Sequence, residues 1–527
     1  MADVDALVEK WFIDTNGTRN LLDLAASEAK NHWLPPQTRH EGASLTDHTT
    51  GNDVTALLDG ENILPKWAEG VVHLTNNHGD AQLLHSGWIA RDINVKAGKS
   101  VSHYLGQLTA KTDEVYIALS DHWTNATDNR KFANSVGIDT AAVDSRYPDV
   151  GSNHAKYTVF KDGTDDYALV GSADLWGPAR AVQAHDQLGG QHELSVTLRG
   201  PAVADVQQSF VNRWNDETRD DVKGSLWHPV SKSTVGSIIG PYAVWTEKTP
   251  PELSANAVQT TTTGTHAVQV LQTFGIDHDD ETYSWANGSG GEFTVWAARL
   301  RALSKATDYI YVEDQYFVPF GVPGTKTYQL AMKADHKWAP FTHLKERLAA
   351  GVDVFVVTNP ELDGRFANTA AFARTDALVE LKTASEQSGA GDLVVASLEV
   401  GGDVVNTHAK LVVVDDEYVA LGSANFNRRS ATNDGELALG IVDGDETLVP
   451  TIRSETWGEH LGVSPSSLGD LAAAKATYKD RVTNETGRLR ALDIPDEATD
   501  EPWNQKFGLS QWDHYAGPAD RTPEADQ

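Results

Sequence analysis

No cysteine occurs in the 527 residues of the chain. A disulfide scaffold and thiolate metal sites are therefore excluded, and stability must come from buried cores, for which this length suffices in two or more domains. The absence does not fix a compartment, since a large secreted protein can fold without disulfides. Cationic residues are scarce: 43 Lys and Arg face 75 Asp and Glu, a formal charge of −32. Nucleic-acid binding needs a cationic footprint to displace counterions, so this balance argues against a polyphosphate partner. It also opposes docking on strongly anionic membranes, an opposition that salt or divalent cations relieve, and it fits a salt-rich habitat. No apolar run approaches the roughly 18–20 residues a membrane span needs, so the chain reads as soluble or as working on a membrane from outside. The opening Met-Ala-Asp-Val-Asp has neither the basic nor the apolar segment of a signal peptide; an exported mature form and a cytoplasmic protein both fit.

What the chain does have is one phrase written twice. Asn153-His154-Ala155-Lys156 and Thr407-His408-Ala409-Lys410 each open a β-branched run, and each run leads to a Gly-Ser turn, Gly171-Ser172-Ala173-Asp174 and Gly422-Ser423-Ala424-Asn425. Periodicity supplies the setting. A strand near Leu83–His85 is followed by a helix with Val101, Leu105 and Leu108 at i, i+4, i+7 and by the strand Val115–Leu119. In the second half, the strand Val268–Leu271, a helix with Trp296, Leu300 and Leu303, and the strand Tyr309–Val312 repeat that order, as a duplicated β-α-β unit does. An additional unit then follows in the second half only: the strand Val354–Val357, a helix through Leu378–Leu381 and the strand Leu393–Val395. Alternating strands and helices predict an α/β fold of two lobes related by approximate two-fold symmetry. Residues 1–235 form the N-terminal lobe with the first phrase, 236–265 a Thr-, Ser-, Pro- and Gly-rich connector, and 266–527 the C-terminal lobe with the second phrase, ending in a helix and an acidic tail.

Residues i and i+2 of an extended segment face one side, so His154 and Lys156, and likewise His408 and Lys410, present imidazole and ammonium to one pocket. Two bases that titrate near neutrality and two fixed cations suit phosphodiester cleavage. The lysines hold non-bridging oxygens and stabilise charge in the transition state. One histidine attacks phosphorus while the other, protonated, hands its proton to the leaving alcohol. Each histidine needs an acceptor on its far nitrogen. Glu193 and Glu436 follow the two Gly-Ser turns and lead into strand-like runs, which makes them the expected orienters.

The second copy, with His408, Lys410, Asp415, Gly422, Ser423 and Asn425, resembles the signature of the phospholipase D superfamily, His-x-Lys-x4-Asp followed by Gly-Ser-x-Asn. The stretch Gly422 to Ser430 with Asp434 and Glu436, the stretch Tyr311 to Phe317, Gly200–Val203 through Arg213-Trp214, and Trp457 to Gly462 are similar to phospholipases D proper. In the first copy Lys161 stands at the signature's Asp position with Asp162 one place later, and Asp174 replaces Asn. The resemblance implies two α-β-α sandwich lobes with the site at their interface, His154 as nucleophile and His408 as acid/base. It further implies substrate contacts at Ser172, Asp174, Ser423, Asn425, Gln315 and Tyr316, and structural roles for Asp162 and Asp415. Hydrolysis of a glycerophospholipid at a membrane or micelle surface is the implied reaction. It yields phosphatidic acid and a free alcohol, with transfer to other alcohols, and needs neither cofactor nor metal. Zwitterionic lipids such as phosphatidylcholine or phosphatidylethanolamine suit the negative surface. The rivals are a nuclease or other phosphodiesterase on the same site and a catalytically silent lipid-binding protein.

Several other signals read as structural. The acidic run Asp277–Glu281 is a solvated loop rather than a calcium site. Gly288–Gly291 lacks the context of a phosphate-binding loop. His122 reads as a satisfied structural histidine and His85 likewise, with lining of the pocket as the alternative for His85, and Trp503, Phe507, Trp512 and Tyr515 of the tail read as residues packed back on the body.

Overall fold

Strands with β-branched runs alternate with helices of apolar periodicity, and in the computed structural model they form two lobes of one plan. The structure describes residues 3–29, 34–39, 42–122, 125–138, 140–144, 151–180, 182–185, 190–216, 251–254, 256–274, 291–319, 337–362 and 367–497. The acidic run Asp277–Glu281, Gly288–Gly290 and the tail aromatics lie outside them.

In the first lobe, β1 (Thr49–Leu58) runs directly into α1 (Asp59–Asn76). Then come β2 (Gln82–Gly87), α2 (Val101–Thr109), β3 (Val115–Ser120), α3 (Ala126–Val136), β4 (Ala141–Asp144), β5 (Tyr157–Lys161), β6 (Tyr167–Gly171), the short β7 (Gln191–His192), β8 (Leu194–Arg199) and α4 (Ala202–Trp214). Sheet order is β4-β3-β2-β5-β6-β8-β1, with β4, β3 and β2 parallel and the rest antiparallel. The second lobe has β9 (His266–Phe274), α5 (Thr294–Lys305), β10 (Tyr309–Asp314), α6 (Pro340–Ala349), β11 (Asp353–Thr358), α7 (Ala367–Ser388), β12 (Leu393–Val400), β13 (Asn406–Thr407), β14 (Leu411–Val414), β15 (Tyr418–Gly422), β16 (Glu436–Asp443), α8 (Leu448–Leu461), α9 (Leu471–Thr483) and the edge strand β17 (Leu489–Ala491). Its order, β12-β11-β10-β14-β15-β16-β9, repeats the first lobe strand for strand. Where the lobes meet, β1 pairs antiparallel with β9.

Register corrects two sequence expectations. The strand at Val268–Leu271 corresponds to β1, not to the strand at Leu83, because each pairs with the last strand of its own sheet. The strand Tyr309–Val312 accordingly corresponds to β2. The unit read as an addition to the second half has its counterpart in β3-α3-β4. Both misreadings share a cause. The Gly51-Asn52-Asp53 run inside β1 masks a strand, and α3, with 11 residues against the 22 of α7, carries too few apolar positions to announce itself.

Why these segments fold as they do is plain at the core. Strands such as β11, buried along their length, are continuous apolar runs because helices cover both faces. In α2, Ser100 caps the first turn by accepting from His103 N, and Val101, Leu105 and Leu108 are fully buried. Residues 4–22, which the chain order assigned to the first lobe, pack on the second: Trp11 stacks on Tyr418, and Gln269 Nε2 donates to Ile13 O at 2.9 Å. The described part of the connector packs on the first lobe, where Trp214 Nε1 donates to Pro251 O at 3.0 Å. No helix among the described residues is long and apolar enough to cross a membrane.

Candidate active site

Each His-x-Lys phrase is the extended lead-in to the central antiparallel strand of its lobe, β5 or β14. Each is pinned to the other lobe. Asn153 bridges Gly435, and His154 N donates to Gly435 O at 2.9 Å. Likewise Asn406 and Thr407 pair in parallel with Gln191 and His192, and His408 N and Ala409 N both donate to His192 O at 2.9 Å. This crossing sets each imidazole beside the glutamate of the opposite lobe. His154 Nδ1 lies 3.0 and 3.1 Å from the two carboxylate oxygens of Glu436. His408 Nδ1 lies 2.9 and 3.0 Å from those of Glu193. The two glutamates expected as orienters thus lie beside the imidazoles, and the pairing is between lobes, not within them. Nδ1–H donated to a carboxylate leaves Nε2 as the reactive nitrogen of each ring.

The Gly-Ser turns hold the glutamates. Ser172 Oγ donates to Glu193 Oε2 and Ser423 Oγ to Glu436 Oε2, both at 2.5 Å, and the same hydroxyls accept from Leu194 N and Leu437 N at 3.0 and 3.1 Å. The two serines, expected as substrate contacts, thus sit behind the glutamates with their hydroxyls engaged. Glycine is required before each serine because a neighbouring strand crosses tightly there: a Cβ on Gly171 would lie 2.5 Å from Leu194 O, and one on Gly422 2.6 Å from Ala438 Cα.

Each lysine is buried and folds back to its own phrase, Lys156 Nζ on His154 O at 2.9 Å and Lys410 Nζ on His408 O at 2.5 Å. Asp174 lies 3.4 Å from Lys156 and accepts from Trp88 N and Ile89 N at 2.8 and 3.2 Å. The second lobe has Asn425 at that turn position, but it has Asp314 at the end of β10. Asp314 accepts from Tyr316 N, Phe317 N and Phe426 N at 2.8, 3.0 and 2.6 Å and acts electrostatically on Lys410. Strand register aligns Asp314 with Gly87, where a Cβ would come within 3.2 Å of Asp174 Oδ1. Each lobe therefore carries one carboxylate beside its lysine, delivered from the turn in one and from the strand end in the other. The departure of Asp174 from the signature is compensated by Gly87.

The two imidazole pairs differ electrostatically. Burial, reinforced by Lys156, holds His154 well below the ordinary histidine value, and burial pushes Glu436 up to about 7 against Lys156 and Ser423. Burial also lowers His408, but Glu193 opposes it, and Glu193 is itself lowered because His408 and Lys410 outweigh its own burial. The two glutamates differ in their neighbours: the charge of His408 acts on Glu193, whereas Lys156, Lys410 and the serine hydroxyls only partly offset the burial of Glu436. The His408–Glu193 pair is the better place for a proton, and His154 is the better neutral ring.

Around the pairs, Trp88 meets the His154 ring edge-on at 6.1 Å, and Arg429 pairs with Asp434 at 2.9 Å and reaches Ser152 Oγ at 3.1 Å. Gln315 and Tyr316 are half-buried just past β10, with Tyr316 in electrostatic reach of Arg429. The sequence reading assigned no role to Asp314, Arg429 or Asp434, although all three stand inside the stretches that carried the resemblance. Asp415 lies away from the pairs. It accepts from Thr307 N, Thr307 Oγ1, Asp308 N and Tyr309 N at 2.7–2.9 Å, stapling the loop that enters β10. Asp162 accepts from Thr164 N and Asp165 N at 2.8 and 3.0 Å and pairs with His73 of α1 at 2.7 Å, while Lys161 Nζ turns to Gln207 and Asn256 O. His85 is buried, with Nδ1 2.8 Å from Thr158 Oγ1 and its pKa lowered by burial to about 4. His122 is buried, and its carbonyl accepts the first amides of α3.

Residues 300–455 match the family described as "Cardiolipin synthase, PLD-like domain". Phospholipase D A of Dictyostelium discoideum is 25% identical over 312 residues, 52% of this chain and 21% of that protein. Phospholipase D delta of Arabidopsis thaliana is 24% identical over 451 residues, 69% of this chain and 50% of that protein. The chain thus spans half or less of the length of these relatives. The solved phosphatidylserine synthase of Haemophilus influenzae Rd KW20 shares the fold at a TM-score of 0.50 and 15% identity, covering 94% of this chain and 96% of that one. Duplicated lobes, paired motifs and matched sequence point one way: the chain is similar to enzymes of the phospholipase D superfamily.

Proposed function

We propose that the chain is a phospholipase D that cleaves the head-group side of a zwitterionic glycerophospholipid. The observation that carries this is the crossed pairing of His154 with Glu436 and of His408 with Glu193, with Lys156 and Lys410 beside them. His154, the more strongly neutral ring, attacks phosphorus through Nε2. As the P–N bond forms, the bond from phosphorus to the head-group oxygen breaks, and His408 passes its proton to the departing alcohol. Water then attacks the phosphohistidine, giving its proton to His408 and releasing phosphatidic acid and neutral His154. The lysines neutralise charge on the non-bridging oxygens, and the Trp88 face offers an apolar wall for a lipid.

The formal charge of −32 favours a lipid over a nucleic acid on this site. A second reading, transfer of the phosphatidyl group to an alcohol, is favoured by the names of the matching family and of the solved synthase, and it uses the same intermediate. The test incubates the full chain with phosphatidylcholine and with single-stranded DNA, and repeats the lipid arm with a primary alcohol. Choline release that disappears in both His154→Ala and His408→Ala is expected. DNA cleavage without choline release overturns the lipid assignment, and phosphatidyl-alcohol as the dominant product moves the enzyme to the transferases.

A further inference from the structure

One residue from Glu193, a second group of buried side chains converges from four separate segments. Asp59 comes from the first turn of α1, His185 from the loop 182–185, His192 from β7 and Glu459 from α8. The first three belong to one lobe and Glu459 to the other. His185 Nε2 lies 2.8 Å from Glu459 Oε1 and 3.4 Å from Asp59 Oδ2. His192 Nδ1 lies 3.2 Å from Asp59 Oδ1 and 3.3 Å from Glu459 Oε1. Four ligands at about 2.0–2.1 Å from a tetrahedral metal stand about 3.3–3.4 Å from one another. With Asp59 binding through Oδ2, its edge to His185 and the His192–Glu459 edge, 3.4 and 3.3 Å, match this, and the 2.8 Å His185–Glu459 edge opens by half an ångström or so, while Asp59 Oδ1 stays on Glu193 N. Two imidazoles with two carboxylates are the donor set of a first-row transition metal, whereas calcium takes six to eight oxygens.

A second observation points to an occupant. His192 Nε2 is 3.1 Å from Glu313 Oε2, and Glu313 also takes His460 Nε2 at 2.7 Å. His192 Nδ1 is thereby directed at carboxylate oxygens of both Asp59 and Glu459, at 3.2 and 3.3 Å. The carboxylate behind a ligating imidazole is itself the usual backing of a metal-bound histidine. His192 Nδ1, Asp59 Oδ2 and Glu459 Oε2 have no hydrogen-bond partner, with Asp59 at 0% and His192 at 1% exposure. Asp59 also holds a left-handed φ of 56° although it is not glycine, a strain retained where surrounding structure enforces it. A divalent ion on two carboxylates and two neutral imidazoles leaves the buried group uncharged.

We propose that Asp59, His185, His192 and Glu459 bind one divalent transition-metal ion, zinc before others, as a clasp between the lobes. The clasp bears directly on Glu193. Glu193 N donates to Asp59 Oδ1 at 3.1 Å, Asp59 N donates to Glu193 O at 2.9 Å, and His192 O holds His408 N. The metal takes no part in the phosphoryl chemistry; it fixes the strand that carries the carboxylate orienting His408. This inference stands whether or not the substrate is a phospholipid.

The full chain, expressed with zinc in the medium and purified without chelator, is analysed for metal, stripped, and titrated back with Zn2+ and with Co2+. One ion per chain is expected, with the intense visible bands of four-coordinate Co2+ and a melting temperature several degrees higher with zinc than without. His185→Gln and Glu459→Gln are expected to bind less than about a tenth of an equivalent. If the stripped native chain takes up no zinc and its melting temperature does not move, protons fill the cluster and the proposal fails. Equal uptake by the native chain and both variants overturns the site equally.

Discussion

Glu193→Gln tests the crossed pairing most directly. The carboxylate accepts from two donors, His408 Nδ1 at 2.9 Å and Ser172 Oγ at 2.5 Å. A glutamine has one oxygen for the two. With that oxygen kept by Ser172, the amide N–H faces Nδ1 and forces the proton onto Nε2, the nitrogen that must exchange protons with substrate and water. Loss of charge assistance alone costs roughly 1–2 kcal/mol, and the wrong tautomer in the comparable Ser-His-Asp arrangement costs about 10⁴ in rate. We expect a loss of about 10³ in turnover on phosphatidylcholine, roughly 4 kcal/mol of barrier. The leaving group supplies the control. A phosphatidyl ester of p-nitrophenol departs without acid help, so in Glu193→Gln its first step survives and shows as a burst of p-nitrophenol before slow turnover. Turnover within threefold of native on phosphatidylcholine, or equal losses on both esters without a burst, would refute the assignment of His408 and its cross-lobe glutamate.

The partner carboxylate makes a stability prediction with a definite sign. Glu436 in the folded chain is raised to about 7, above its ordinary 4.5, so the native state holds this proton more tightly than the unfolded chain. Its contribution is full below pH 4.5 and is lost as pH rises towards 7. Glutamine does not titrate, so Glu436→Gln should gain on the native protein by roughly 2–3 kcal/mol between pH 4.5 and 8 in urea unfolding; a constant difference would contradict the shift. Asp415→Ala removes four accepted hydrogen bonds at the start of β10 and should cost about 2 kcal/mol of stability, with turnover per folded molecule unchanged. Asp174→Asn strips Lys156 of its carboxylate and should slow turnover about tenfold. Adding Gly87→Asp copies the arrangement of the second lobe and should restore most of that loss; no rescue would show that the lobes do not exchange this carboxylate.

The chain by itself determined the local chemistry. A period of two puts His154 with Lys156 and His408 with Lys410 on common faces, and two copies with Gly-Ser turns announce a duplicated site, because these are short-range properties of a strand and a turn. The same local logic failed where signal was thin. β1 is interrupted by Gly51-Asn52-Asp53 and α3 is short, so the repeat was read one strand out of step. Which glutamate serves which histidine was decided only by the parallel bridges Asn153–Gly435 and Thr407–His192, which join residues far apart in the chain. The exchange of Asp174 for Asp314 became visible only when sheet register aligned Gly87 with Asp314. Asp59, His185, His192 and Glu459 share no motif, and they form a cluster only because the packing of the two lobes brings their four segments together. Spacing along a chain records what a strand or turn does to its near neighbours; contacts between distant segments depend on how the sheets pair, and that is a property of the folded whole.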